Sequence, residues 1–167
     1  MCIRDRLSTL HTNSAPETIT RLIEMGLDPY NFADAMLGIL AQRLARRLCE
    51  HCKTAYTPGR EEYDELVAAY GAELFEQHGL PAYTSDLQLM KATGCTECEG
   101  QGYNGRIAIH ELLVNSENIR RAIKQNLPID DLQKLAISEG MCTLRMDGVQ
   151  KIFAGWTDLH QLNRVTT

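Results

Sequence analysis

Two cysteine pairs constrain this chain more than any other feature: Cys49-Glu50-His51-Cys52 and Cys95-Thr96-Glu97-Cys98. A Cys-x-x-Cys turn directs both sulfurs at one point, so each pair supplies half of a tetrahedral ligand set. Two pairs supply the four thiolates of a closed structural zinc site. Forty-two residues separate Cys52 from Cys95, more than the commonest zinc-ribbon spacing, so the closed loop has room for a helix and a strand of its own. Four thiolates leave no open coordination position, and the expected role of Zn2+ at Cys49, Cys52, Cys95 and Cys98 is structural.

Size and charge narrow the class. The 167 residues suffice for one ordinary domain or two small ones. A 44% hydrophobic and 23% charged composition fits a globular protein in water. The net charge of −5 opposes nucleic-acid binding. No apolar run reaches membrane-spanning length, so no transmembrane segment is expected. Met1-Cys2-Ile3-Arg4-Asp5-Arg6 lacks the apolar core of a signal peptide. With four of six cysteines in metal-type pairs, Cys2 and Cys142 remain as free thiols, which suits a reducing cytoplasm.

Taken in order, Leu7-Ser8-Thr9-Leu10 predicts the end of a strand, followed by polar His11, Thr12 and Asn13. Ser14-Ala15-Pro16-Glu17 fits a helix cap with proline in the first turn, Ile19, Leu22 and Ile23 an apolar face, and Gly26 a stop. A strand, a polar turn and a helix N-terminus form a phosphate-binding arrangement in open α/β sheets; a surface histidine beside a cap is the other reading of His11. Ala33, Met36, Leu37 and Leu40 predict a second helix, and Gln42 to Leu48 suits either helix or strand. Within the cysteine loop, Tyr63, Leu66, Val67 and Tyr70 predict an amphipathic helix interrupted at Gly71. Its other face, Glu61, Glu62, Asp64 and Glu65, is either solvated or a docking surface. Leu87-Gln88-Leu89 predicts a short strand. Gly100, Gly102 and Gly105 spell G-x-G-x-x-G, but they follow a metal knuckle and precede the strand pattern Arg106 to Ile109, so they predict a tight hairpin and no dinucleotide site. His110-Glu111 begins a zinc-protease motif that Val114 breaks, which excludes a catalytic metal there. Four short helices follow: one capped by Ser116, one from Ile129 stopped at Gly140, one through Val149, Ile152 and Phe153 stopped at Gly155, and one capped by Thr157.

Several of these stretches together resemble one family. They are Leu7-Ser8-Thr9-Leu10-His11-Thr12-Asn13, Leu40-Ala41-Gln42-Arg43-Leu44, the two cysteine pairs, Gly102-Tyr103-Asn104-Gly105-Arg106 and Asn163-Arg164-Val165-Thr166. The family is the bacterial type II secretion and type IV pilus assembly ATPases, hexameric motors, and the resemblance runs from about residue 7 to 167, weakest near 55 to 90. It implies an α/β fold: the C-terminal piece of a RecA-like P-loop core over residues 7–48, a tetracysteine zinc-binding insertion over 49–100, and a return strand with a helical subdomain over 101–167. It places His11 in a histidine box and His11 and Thr12 near the terminal phosphate of ATP, with Arg21 on the following helix as a further catalytic candidate. It implies ATP and Mg2+ in the full-length protein, a homo-hexamer, partners among the inner-membrane platform and cytoplasmic adaptor proteins, and a cytoplasmic location peripheral to the inner membrane.

The departures from the family pattern are as informative. No G-x-x-x-x-G-K-[ST] occurs in the 167 residues, so the phosphate cradle and its lysine are not among them. No acidic Walker B strand precedes Leu7. Residues 1–6 are charged where the family carries an apolar strand, and are expected to be a non-native start. The expectation is a C-terminal fragment that does not hydrolyse ATP alone. The alternative is a stand-alone zinc module for protein interaction. Cys95-x-x-Cys98-x-Gly100-x-Gly102 resembles one repeat of the DnaJ-type chaperone zinc region, although Cys49 and Cys52 lack the glycines. A nucleic-acid zinc ribbon is opposed by the charge, and a thiol oxidoreductase by two pairs that satisfy each other.

Overall fold

The computed structural model describes residues 7–166; the expected non-native start, residues 1–6, lies outside them. The first helix, α1 (Ala15–Glu24), begins where its cap dictates: the Ser14 side chain accepts from the Glu17 N–H at 3.2 Å, and the Glu17 carboxylate accepts from the Asn13 N–H at 2.7 Å. Gly26, at φ 93°, ends it. The predicted strand over Leu7–Leu10 is absent; these residues are irregular.

The second helix is shorter than the apolar spacing predicts. α2 (Pro29–Ala35) is capped by Asp28 and stops at Met36, whose backbone is extended. Leu37 and Leu40 are not helical, because β1 (Gly38–Leu48) begins there and runs to the first cysteine. This also resolves Gln42–Leu48 as strand. β2 (Thr54–Tyr56) follows the first knuckle, then α3 (Arg60–Tyr70) and α4 (Ala72–Gln77), divided at Gly71 as expected. β3 (Leu89–Lys91) leads into the second knuckle, and β4 (Tyr103–Val114) leaves it. The remaining helices are α5 (Glu117–Lys124), α6 (Ile129–Ser138), α7 (Leu144–Phe153) and α8 (Leu159–Val165).

Two two-stranded sheets result: β1 with β4, and β2 antiparallel to β3 with Thr54 opposite Lys91, Ala55 opposite Met90 and Tyr56 opposite Leu89. The glycines after Cys98 therefore make no hairpin: the strands on either side of the second knuckle pair with different partners. α8 is capped by Asp158, which accepts from the Gln161 N–H at 2.9 Å, and not by Thr157, whose hydroxyl donates to the Arg46 carbonyl at 2.9 Å.

The chain divides into two compact units, with the division falling inside β1 and inside β4. One unit holds the chain up to Ala41 together with Leu112–Met141. Its core is aliphatic, with Ile19, Leu113, Ile119, Ile123 and Leu132 buried. The buried side chain of Asn115 donates to the carbonyls of Ala33 at 2.8 Å and Met36 at 2.6 Å, closing the C-terminal end of α2. The other unit holds Gln42–Glu111 and the chain from Cys142 onward. Its core gathers Leu66, Leu89, Ile109, Val149, Ile152 and Leu162, with Tyr63, Tyr70 and Phe153 each within 5.8 Å of Phe75 in edge-on ring contacts. The residues enclosed by the cysteine loop thus share one core with α7 and α8.

Candidate metal centre

β1 delivers Cys49 directly from its buried last residue, Leu48, whose N–H donates to the Trp156 carbonyl at 2.9 Å. The chain then turns back on itself: the N–H groups of Cys52 and Lys53 both donate to the Cys49 carbonyl, at 3.2 and 2.9 Å. β2 starts two residues after Cys52 and its partner β3 ends four residues before Cys95, so the antiparallel ladder brings the pairs together across 42 residues. A hydroxyl contact between Thr54 and Thr93 at 3.0 Å continues the pairing towards the cysteines. Cys95 opens a short 3-10 turn, Thr96–Cys98, and the Gly100 N–H donates to the Cys95 carbonyl at 2.8 Å. The Cys49 N–H donates to the Gly102 carbonyl at 3.0 Å, joining the two knuckles through backbone.

The four sulfurs lie within 4.8 Å of one another. Cys49 to Cys95 is 3.9 Å, Cys52 to Cys98 is 3.7 Å and Cys95 to Cys98 is 3.7 Å. Bonded sulfurs stand ~2.05 Å apart, so these are free thiols. A tetrahedron with metal–sulfur bonds of ~2.3 Å has edges of roughly 3.8 Å, which these separations match. The donor set is soft and closed, and suits zinc.

Backbone N–H groups complete the surroundings. Gly94 donates to the Cys52 sulfur at 3.3 Å, while Cys95 and Gly102 donate to the Cys98 sulfur at 3.2 and 3.1 Å. Burial pushes the Cys98 thiol up, but the two N–H donors outweigh it and hold the group well below the usual thiol range. Burial prevails at Cys52, which is raised. Cys98 is therefore the ligand whose thiolate the protein itself stabilises. Two glycines make this possible. Gly94 and Gly102 have φ 106° and 77°, and a Cβ would fall 2.5 Å from the Gly100 carbonyl oxygen and 2.6 Å from the Ala92 Cβ, respectively. Sequence reasoning passed over Gly94 and Lys53; the density of glycine beside Cys98 was the one signal available. Lys53 pairs with Glu50 at 2.6 Å and donates to the Gly155 carbonyl at 3.1 Å, and Arg47 pairs with Glu50 at 2.8 Å. Hydrogen bonds from Lys53 and Arg47 lower the Glu50 carboxyl.

The other site residues, His11, Thr12 and Arg21, belong to the unit that contains α1. His11 is exposed, three residues before the cap of α1. The Thr12 hydroxyl is 2.7 Å from that of Thr18. Arg21 lies exposed on α1, 3.5 Å from Glu24.

Comparison with known proteins adds what the geometry alone does not carry. A family described as type II/IV secretion system protein matches residues 4–164. A type IV pilus assembly ATPase, PilB, of Thermus thermophilus is 43% identical over 156 residues, covering 93% of this chain and 16% of the relative. The type II secretion system protein HxcR of Pseudomonas aeruginosa is 38% identical over 160 residues, 96% of this chain and 28% of the relative. A putative type II secretion system protein E of Escherichia coli is 36% identical over 161 residues, 96% of this chain and 30% of the relative. The chain thus spans less than a third of the length of each of these relatives.

Proposed function

This chain belongs to the type II/IV secretion system protein family, and from that membership we propose that its residues form the C-terminal part of an ATP-driven motor of type II protein secretion or type IV pilus assembly. The observation that carries the reading is similarity over nearly the whole chain to proteins named as such ATPases or secretion components. In this reading residues 7–48 complete a RecA-like core, 49–100 form a zinc-binding insertion, and 101–167 form a return strand and helical subdomain. The motor is a homo-hexamer on the cytoplasmic side of the inner membrane, acting on platform and adaptor proteins. Among the described residues no helix is long and apolar enough to cross a membrane.

ATP and Mg2+ belong to the whole motor, where they supply phosphoryl-transfer chemistry. The 167 residues hold no P-loop sequence, so this chain by itself is proposed not to turn over ATP. What it would contribute is His11. The Asn13 and Glu17 N–H groups at the start of α1 are taken by the Glu17 carboxylate and the Ser14 hydroxyl, and the Thr12 hydroxyl bonds to Thr18. Recognition of a terminal phosphate in this segment would then rest on the exposed His11 side chain and the Thr12 hydroxyl, which can take more than one hydrogen bond, with Arg21 further along α1 as a second candidate. The zinc holds the two ends of the 49–100 excursion and takes no part in hydrolysis, since four thiolates fill its coordination sphere.

The test is to place residues 7–166 in the matching segment of the Thermus thermophilus relative and to measure ATP hydrolysis. Turnover is expected to persist in the hybrid and to fall by at least roughly tenfold in its His11→Ala variant, the scale of one positioned charge-stabilising group. A hybrid whose turnover is indifferent to His11→Ala removes the histidine from the mechanism. A hybrid that folds and binds zinc but never hydrolyses ATP favours the stand-alone zinc module.

A further inference from the structure

The four sulfurs of the metal centre are not equivalent, and the difference bears on how the site would be regulated; this rests on zinc as the resident metal. Cys49 and Cys98 are buried, while Cys52 and Cys95 are half-buried. Of the four, Cys95 lines a shallow, open depression, which it forms with Thr93, Gly94, Thr96, Glu99 and Gly100. Cys95 has an extended backbone, φ −153°, at the start of the 3-10 turn, and Cys98 closes that turn with its sulfur 3.7 Å behind that of Cys95. One cysteine of this pair is half-buried at the edge of a shallow surface depression, and the other is buried with its sulfur 3.7 Å away. In the first knuckle Cys49 is buried, and Cys52, half-buried like Cys95, does not line this depression.

We propose that Cys95 and Cys98 are an oxidation switch within the metal site, in which a hydroperoxide enters at Cys95 and Cys98 closes the disulfide that opens the clasp. In the first step the Cys95 sulfur attacks one peroxide oxygen; a sulfur–oxygen bond forms as the oxygen–oxygen bond breaks. With hydrogen peroxide this leaves a sulfenic acid and hydroxide. In the second step the Cys98 thiolate attacks the Cys95 sulfur; the sulfur–sulfur bond forms, the sulfur–oxygen bond breaks and a second hydroxide leaves. Two electrons pass from the sulfur pair to the peroxide. The site then retains two thiolates, Cys49 and Cys52, and no longer holds the ion. The β2–β3 ladder and the Thr54–Thr93 contact are then left beside the knuckles, too few ties to keep the unit cooperatively folded, and thiol reductant with zinc restores it.

Trypsin separates the candidates cleanly. Cys49 and Cys52 fall on the peptide Leu48–Lys53, and Cys95 and Cys98 on the peptide Ala92–Arg106. The zinc-loaded chain is treated with hydrogen peroxide in the presence of a chromogenic chelator, its remaining thiols are alkylated, and the digest is weighed at successive times. The expected first product is an Ala92–Arg106 peptide two hydrogens lighter and unalkylated, with one zinc released per disulfide and an unchanged Leu48–Lys53 peptide. Dithiothreitol with added zinc reverses both readings. A Leu48–Lys53 peptide that oxidises first, or the two peptides joined to each other, overturns the assignment. So does oxidation confined to the peptides of Cys2 or Cys142 with zinc retained. A folded chain that carries no zinc before peroxide is added overturns the metal reading itself, and the switch with it.

Discussion

The two compact units reach order by different means. In the unit that contains α1, α2, α5 and α6, the helix starts are set by local caps, and its two segments meet through buried apolar faces. Ser14, Asp28 and Ser116 each accept an N–H within three residues, and the buried Asn115 side chain reaches across to end a helix. In the unit that contains the cysteines, the decisive contacts join residues some 40 to 100 positions apart: Cys49 with Cys95, Cys49 with Gly102, Lys53 with Gly155. Closing long loops costs entropy before any contact rewards it. The first unit also joins segments distant in sequence, and it does so by packing the buried apolar faces of capped helices. In the second, beside the core shared with α7 and α8, four sulfurs stand at the exit and return of the chain, where a metal clasp would be most effective.

The contrast can be broken at graded strength. The largest effect is expected from Cys98→Ser, which removes the ligand best supported by N–H donors. Metal binding is coupled to folding in such sites with apparent free energies of order ~10 kcal/mol, so the cysteine unit should lose cooperative unfolding. Amide spectra should still show α5 and α6 formed. Next is Leu66→Ala on α3, a fully buried side chain in the core shared with α7 and α8, expected to cost about 2–5 kcal/mol in denaturant unfolding of that unit. Equal loss of exchange protection in α5 and α6 would show that the units are not separable. The smallest is Ser116→Ala. It deletes the α5 cap and the hydroxyl that donates to Glu139 at 2.5 Å, and should cost about 1 kcal/mol, felt in the other unit, with zinc content unchanged.

What the sequence made legible follows the same division. Helices with a cap and a stop are where the residues place them: α1 from Ser14 to Gly26, α5 from Ser116, α6 before Gly140. The four-cysteine cluster was legible because two residues of spacing inside each pair are enough to fix a knuckle. β1 was not. Its buried residues are Ala41, Ala45 and Leu48, while Leu40 and Leu44 on the opposite face are more than half exposed. Intervals of four and three imitate a helix, because the side facing the core changes between Ala45 and Leu48. The partners of β3 and β4 were hidden for a related reason: glycines 100, 102 and 105 look alike in sequence, yet Gly102 serves close backbone approach to Ala92 and a hydrogen bond to Cys98, not a hairpin. Thr157 likewise resembles a helix cap until its hydroxyl is seen to bond the Arg46 carbonyl.

The central claim, that the cysteine unit is held by one zinc on four sulfurs, is tested most directly by X-ray absorption at the zinc edge on the purified chain, together with its metal content. One zinc per chain with a shell of four sulfurs near ~2.3 Å is the predicted result. A fully folded chain without zinc would contradict the account, as would a shell in which nitrogen from His51, the exposed histidine between Cys49 and Cys52, replaces one of the sulfurs.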